Sequence, residues 1–241
     1  MLDVCAWALP PARSQLSAQE VHLWQADLVR PDVELEELTP LLSEDEQQRA
    51  SRFRFERDRR KYIICRGILR TLLSRYLQRD PIDLTFSYSK YGKPFLNESP
   101  VSFNLAHSGD RALYAVVLNH AIGVDIEQLR SVEHIKQIVS RYFAPEEQQA
   151  FQLLDPAQQQ IAFFRGWTAK EAFLKAIGSG LSQSPHQIAV TLLPDQAAKL
   201  LSLPAEYFVR EWQLFQFVPT EGYMGAIVLP QEPLQLRCFQ I

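Results

Sequence analysis

Cysteine is scarce in this chain of 241 residues: Cys5, Cys65 and Cys238 lie far apart, with no C-x-x-C or His/Cys spacing. Neither a disulfide framework nor a zinc ribbon is expected. No apolar run reaches the roughly 18–20 residues of a membrane span, and no basic stretch precedes an apolar one near Met1. The expectation is a cytoplasmic protein with no membrane partner. A G-x-x-x-x-G-K-[ST] loop, a dinucleotide G-x-G-x-x-G and a G-x-S-x-G nucleophile elbow are all missing, which removes the common nucleotide folds and leaves a serine triad only weakly supported. A basic excess is missing too, since 25 Lys and Arg face 28 Asp and Glu for a net charge of -3, and nucleic acid is not an expected partner. What remains, 46% hydrophobic and 22% charged residues, describes an ordinary globular chain long enough for one large domain or two small ones.

The small net charge hides an asymmetry. Residues 32–46 carry seven acids and no base, whereas residues 49–79 carry eleven Lys and Arg against Glu56 and Asp58. An acidic first turn predicts a helix starting near Ser43, with Glu46 completing a capping box.

Internal repetition is informative. Asp45-Glu46-Gln47-Gln48 recurs as Glu146-Glu147-Gln148-Gln149, Arg66-Gly67 as Arg165-Gly166, and the segment 21–28 aligns with 122–129, all at offsets of 99 to 101 residues. Ala115-Val116-Val117-Leu118 is answered by Ala226-Ile227-Val228-Leu229. These matches predict duplication of a unit of about a hundred residues, divided as 1–119 and 120–241. Each unit reads as an alternating strand, a helix pair ending in a long amphipathic helix (55–78 and 158–177), then strands at 82–88, 101–106 and 112–118, or at 187–193, 207–217 and 223–229. The expected class is α+β, two similar subdomains each with a mostly antiparallel sheet and a long helix packed on it, and an active site in the cleft between them.

Asp125 and Glu127 lie two apart in Ile122-Gly123-Val124-Asp125-Ile126-Glu127, so a strand places both carboxylates on one face and Ile122, Val124 and Ile126 on the other. Two hard oxygen ligands on one face suit Mg²⁺; a polar solvent face is the plain alternative. The aligned residues of the first unit are Trp24 and Ala26, and acids confined to one copy favour function over a requirement of the fold. Glu171 and Lys175 sit four apart, a surface ion pair or a third oxygen ligand beside a phosphate-binding ammonium. His107 and Ser108 follow a strand and point apart, which argues against a nucleophilic pair; His107 either donates to a phosphate or caps a turn. Lys93, in Tyr91-Gly92-Lys93-Pro94, is a solvated turn charge or an anion contact.

Together these segments resemble the 4′-phosphopantetheinyl transferases, specifically the long monomeric type. Three ordered blocks carry the resemblance: Phe103-Asn104-Leu105-Ala106-His107-Ser108, Ile122-Gly123-Val124-Asp125-Ile126-Glu127, and Trp167-Thr168-Ala169-Lys170-Glu171-Ala172-Phe173-Leu174-Lys175. Arg52-Phe53, Lys93-Pro94, and Phe143 with Glu147 support them, over about residues 45 to 190. The resemblance implies a monomeric enzyme that moves the phosphopantetheinyl arm of coenzyme A onto a serine of an apo acyl or peptidyl carrier protein and releases adenosine 3′,5′-bisphosphate. It implies that Asp125, Glu127 and Glu171 hold Mg²⁺, that Arg52, Lys93, His107 and Lys170 contact coenzyme A, and that Lys175 serves both coenzyme A and catalysis. On this resemblance the candidate base is Glu171, or a water held by Glu147 or Glu171. Lys170 stands about 140° around the helix from Lys175 and would reach a different part of the ligand. Ala106 stands where many relatives have serine. A carboxylate-metal nuclease and a non-catalytic carrier-binding or coenzyme A-binding module are the alternatives; the nuclease should carry a broader basic surface, and all three acids of the metal set are present here.

Overall fold

The computed structural model describes residues 3–4, 6–11, 15–180, 184–193 and 195–241; Cys5 lies outside them. Two four-stranded sheets organise the chain. One runs in the order β12 (Gln235–Gln240), β2 (Glu20–Asp27), β6 (Arg111–Leu118), β5 (Val101–Ser108); the other runs β1 (Asp3–Val4), β10 (Trp212–Val218), β11 (Tyr223–Pro230), β7 (Gly123–Gln128). Two short ribbons, β3 (Phe86–Tyr88) with β4 (Pro94–Leu96) and β8 (Ala189–Val190) with β9 (Leu200–Ser202), complete the strands.

The long helices are α3 (Glu56–Leu77) and α6 (Pro156–Ile177), each of 22 residues. Shorter ones are α1 (Asp32–Leu38), α2 (Glu44–Ser51), α4 (Ile135–Tyr142) and α5 (Pro145–Gln152). Local chemistry sets their ends. The capping box of Ser43 and Glu46 opens α2 as expected. Asp155 accepts from Gln158 N at 2.9 Å and Pro156 follows at the first position of α6, while Gly178, at φ 68°, closes it.

Alternation along the strands builds three apolar cores. Trp24, Tyr114 and Val116 face α3; Ala226, Val228 and Leu214 face α6. The intervening residues, Leu23, Leu113 and Ala115 from one sheet and Val124, Ile126 and Ile227 from the other, pack between the two sheets. Each sheet is therefore covered by a helix outside and by the other sheet inside, a layering that strand periodicity alone does not reveal.

The antiparallel strands β2-β6-β5 and β7-β11-β10 share one order, first-third-second in the chain. The terminal strands cross over: β1 runs parallel to β10, and β12 parallel to β2. The strands β1, β4, β9 and β12 and the helices α1 and α4 are additions to the elements expected, and the strand expected over 187–193 is confined to two residues.

Trp24 illustrates the first core. It is fully buried, its indole N–H donates to Tyr76 Oη at 2.8 Å, and its ring lies 4.7 Å from that of Phe239 on β12. Trp24→Ala should cost about 3–5 kcal/mol in chemical denaturation without a selective loss of divalent-cation affinity. A stable variant that has lost cation affinity would contradict this division between the halves.

Candidate functional site

β7 places Asp125 and Glu127 on the face turned to α6, opposite Val124 and Ile126. Gly123 shares that face and explains the close approach, since a Cβ there would collide with the Ala172 carbonyl oxygen and the Ala176 nitrogen of α6. The helix therefore lies directly on the strand and brings Glu171 and Lys175, one turn apart, over the carboxylates. Lys175 Nζ donates to Asp125 Oδ1 at 2.6 Å. Asp125 is buried, and its Oδ2 has no hydrogen-bond partner.

Burial pushes the Asp125 carboxyl up to about 7, against the pull of Lys175 and with a push from Glu127 and Glu171. Glu171 is raised as well, chiefly by burial; Lys175 opposes the rise and Glu127 adds to it. Three carboxylates and one ammonium thus share one field. Among the described residues no three His, Cys, Asp or Glu side chains form a ready-made metal cage. Lys175 occupies one oxygen of Asp125, and Ser108 Oγ donates to Glu127 Oε2 at 2.7 Å. The donor set fits a hard cation, because its groups are carboxylate oxygens and one of them, Asp125 Oδ2, is buried without a partner.

Two adjoining cavities of about 340 and 520 Å³ open beside this cluster, and Lys175 lines both. The smaller one is lined by His107 and, from α2 and α3, by Arg49, Tyr62 and Arg66. The larger one is lined by Lys93, Asn104, Glu171 and Lys175. Burial, then the charges of Lys175 and Lys61, draws the His107 pKa below its usual value. An imidazole beside two ammonium groups makes a positive surround that suits an anionic group.

Of the other expected ligand or catalytic residues, Lys93, Glu147 and Lys170 are engaged with protein partners, and Arg52 stands apart from the cavities. Lys93 lines the cavity, but its ammonium donates to the carbonyls of Ile122 at 2.9 Å and Lys175 at 2.6 Å. It tethers the turn before β4 to the start of β7 and the C-terminal end of α6, where a cation suits the helix dipole. Burial, with the charge of Lys175 second, lowers its pKa to about 8. Arg52 stands exposed at the C-cap of α2 and lines neither cavity; Arg49 and Arg66 stand there instead.

Glu147 and Lys170 pair with each other, 2.7 Å apart and each 1% exposed at the side chain. Glu147 also accepts from Ala144 N at 2.7 Å and Val190 N at 2.9 Å, and Lys170 donates to the carbonyls of Pro185 and Ile188. Neither lines the cavities. Their counterpart explains them: Glu46, at the matching position of α2, is buried between Arg66 and Arg70 of α3. In both places a glutamate three residues into a short helix pairs with a base on the long helix, so Glu147 and Lys170 hold α5 against α6. Lys170→Met should cost about 3–5 kcal/mol, because it strands a buried carboxylate. Undiminished stability with weakened coenzyme A binding would return Lys170 to the ligand site.

Two side chains of β5 reach β7: Asn104 Oδ1 accepts Val124 N at 2.8 Å, and Ser108 Oγ donates to Glu127. Both residues lie within the segment 103–108, yet their sequence pattern shows only a strand.

Comparison with known proteins places two family models along the chain. Residues 121–228 match the 4′-phosphopantetheinyl transferase superfamily model, and residues 30–119 match the 4′-phosphopantetheinyl transferase N-terminal model. The 4′-phosphopantetheinyl transferase HetI of Nostoc sp. is 39% identical over 227 residues, 92% of this chain and 93% of that protein. A phosphopantetheinyl transferase of Thraustochytrium sp. is 30% identical over 80% of this chain and 71% of its own length. The 4′-phosphopantetheinyl transferase Sfp of Bacillus subtilis is 30% identical over 67% of this chain and 71% of its own. Among the described residues no helix is long and apolar enough to cross a membrane.

Proposed function

We infer the reaction from the premise that this chain belongs to the 4′-phosphopantetheinyl transferase superfamily and is a transferase of phosphopantetheine from coenzyme A to carrier proteins. The acceptor is a serine of an apo acyl or peptidyl carrier protein, the product nucleotide is adenosine 3′,5′-bisphosphate, and Mg²⁺ is required. The gathering of Asp125, Glu127, Glu171 and Lys175 beside cavities that His107 and Arg49 also line carries this reading.

Asp125, Glu127 and Glu171 would hold Mg²⁺, which supplies positive charge against the pyrophosphate. The chain's own residues do the rest. The cavity lined by Arg49, Tyr62, Arg66 and His107 receives the nucleotide end, where cations meet phosphate and rings meet the base. Lys175 neutralises an oxygen of the transferring phosphoryl group. The serine Oγ forms a bond to the phosphorus that bears pantetheine, the bond from that phosphorus to the bridging oxygen breaks, and the nucleotide leaves with that oxygen. The serine proton passes to the Glu171 carboxylate. With Glu147 held in its ion pair, Glu171 is the base this geometry supports.

We read the fold as a duplication divided at 1–119 and 120–241, acting as a monomer in the cytoplasm. Support comes from the shared strand order, the two 22-residue helices and the matched anchors Glu46 and Glu147.

Intact-mass spectrometry of apo carrier proteins incubated with the protein, coenzyme A and Mg²⁺ tests the reaction. A mass gain of one phosphopantetheinyl group, lost with EDTA, is expected. No gain on any carrier, from a folded protein that binds coenzyme A, would reduce the chain to a binding module.

A further inference from the structure

We propose that Ser108 is a positioning residue that aims Glu127 at the cation, an inference that rests on the reading of Asp125, Glu127 and Glu171 as the cation's ligands. A serine hydroxyl has one proton to give and lone pairs to accept with. Here the acceptor side takes Gln128 N–H at 3.1 Å, and the proton goes to Glu127 Oε2 at 2.7 Å. Both bonds leave the end of β5 and land on β7, in the other sheet, so the orientation of a carboxylate in the second half is set by the first.

The hydroxyl is itself held in place. Gly109 follows at φ 55°, and a Cβ there would lie 2.5 Å from Gln128 Oε1 and 2.6 Å from Tyr223 Oη, so the hairpin tip is seated tightly on β7 and β11. Asp110 N donates to Tyr223 Oη at 3.1 Å. Lys61 of α3 donates to the Gly109 carbonyl at 2.7 Å and pairs with Asp110 at 2.8 Å. Adjacent strand residues thereby divide the work: His107 lines the smaller cavity, and Ser108 turns to the carboxylates.

Glu127 is only half-buried at the end of its strand, and without the hydroxyl its carboxylate regains rotamers that miss the cation. Loss of such an outer hydrogen bond typically weakens metal binding about 10–100-fold. The test is calorimetric titration of Mn²⁺ into the full chain with saturating coenzyme A, for the wild type, Ser108→Ala and Ser108→Thr, with coenzyme A affinity measured separately without metal. Ser108→Ala should bind Mn²⁺ about 10–100-fold more weakly, Ser108→Thr should recover most of the loss, and coenzyme A affinity should stay within about twofold in both. Equal Mn²⁺ affinity in Ser108→Ala and wild type overturns the role of Ser108, as does a loss in Ser108→Thr as large as that in Ser108→Ala. A wild type that binds coenzyme A but no Mn²⁺ overturns the carboxylate reading itself, and Ser108's role falls with it.

Discussion

Asp125→Asn lowers kcat/KM for carrier modification by at least about 100-fold while the protein stays folded. The substitution is isosteric and removes a charge whose burial the fold opposes, since desolvation is the largest influence on this carboxyl and pushes it up to about 7. The partner left behind is not stranded: the Lys175 side chain is 28% exposed, against 7% for Asp125, and turns to solvent. Denaturation midpoints should therefore change little, and the loss should fall on Mg²⁺-dependent turnover. The measurement is steady-state turnover at varied Mg²⁺ with a parallel denaturation curve. Unchanged turnover in the folded variant would remove Asp125 from the site.

Lys175→Met should lower kcat by about 10²–10³ while coenzyme A affinity falls much less. Lys175 lines both cavities and donates to Asp125, so its charge lies between the expected nucleotide and the carboxylates. Charge that develops on the phosphoryl oxygens in the transition state is what its ammonium meets, whereas Arg49 and His107 remain for the bound nucleotide. Single-turnover rates and coenzyme A titrations separate the two effects. An affinity loss as large as the loss in rate would make Lys175 a binding residue only.

The carboxylate cluster was legible because two periodicities meet there. A period of two put Asp125 and Glu127 on one face of β7, and a spacing of four put Glu171 and Lys175 on one face of α6. Gly123 also carried the reason that the two elements touch, once a glycine in a strand is read as a close approach of backbone. The long helices were placed within a few residues, since caps and amphipathic spacing are local signals.

Glu147 and Lys170 pair with each other away from the cavities, and the sequence held a clue to that pairing. The sequence repeat aligns Glu46 with Glu147, and in the structure each glutamate ties its short helix to a long one. Lys93 and Ser108 were beyond local reasoning, because their partners lie 29 and 19 residues away or farther and depend on how the two sheets pack. The crossing of β1 and β12 between sheets was equally hidden, since the pairing of Gln235–Gln240 with Glu20–Gln25 leaves no mark on either segment alone.

The most direct test of the site is a crystal of the protein with coenzyme A and Mn²⁺, with anomalous scattering used to locate the metal. The expected result is one manganese peak at carboxylate-ligating distance from Asp125, Glu127 and Glu171, with the pyrophosphate against Lys175. A peak elsewhere, or coenzyme A bound away from the cavities beside α3 and α6, would contradict the account.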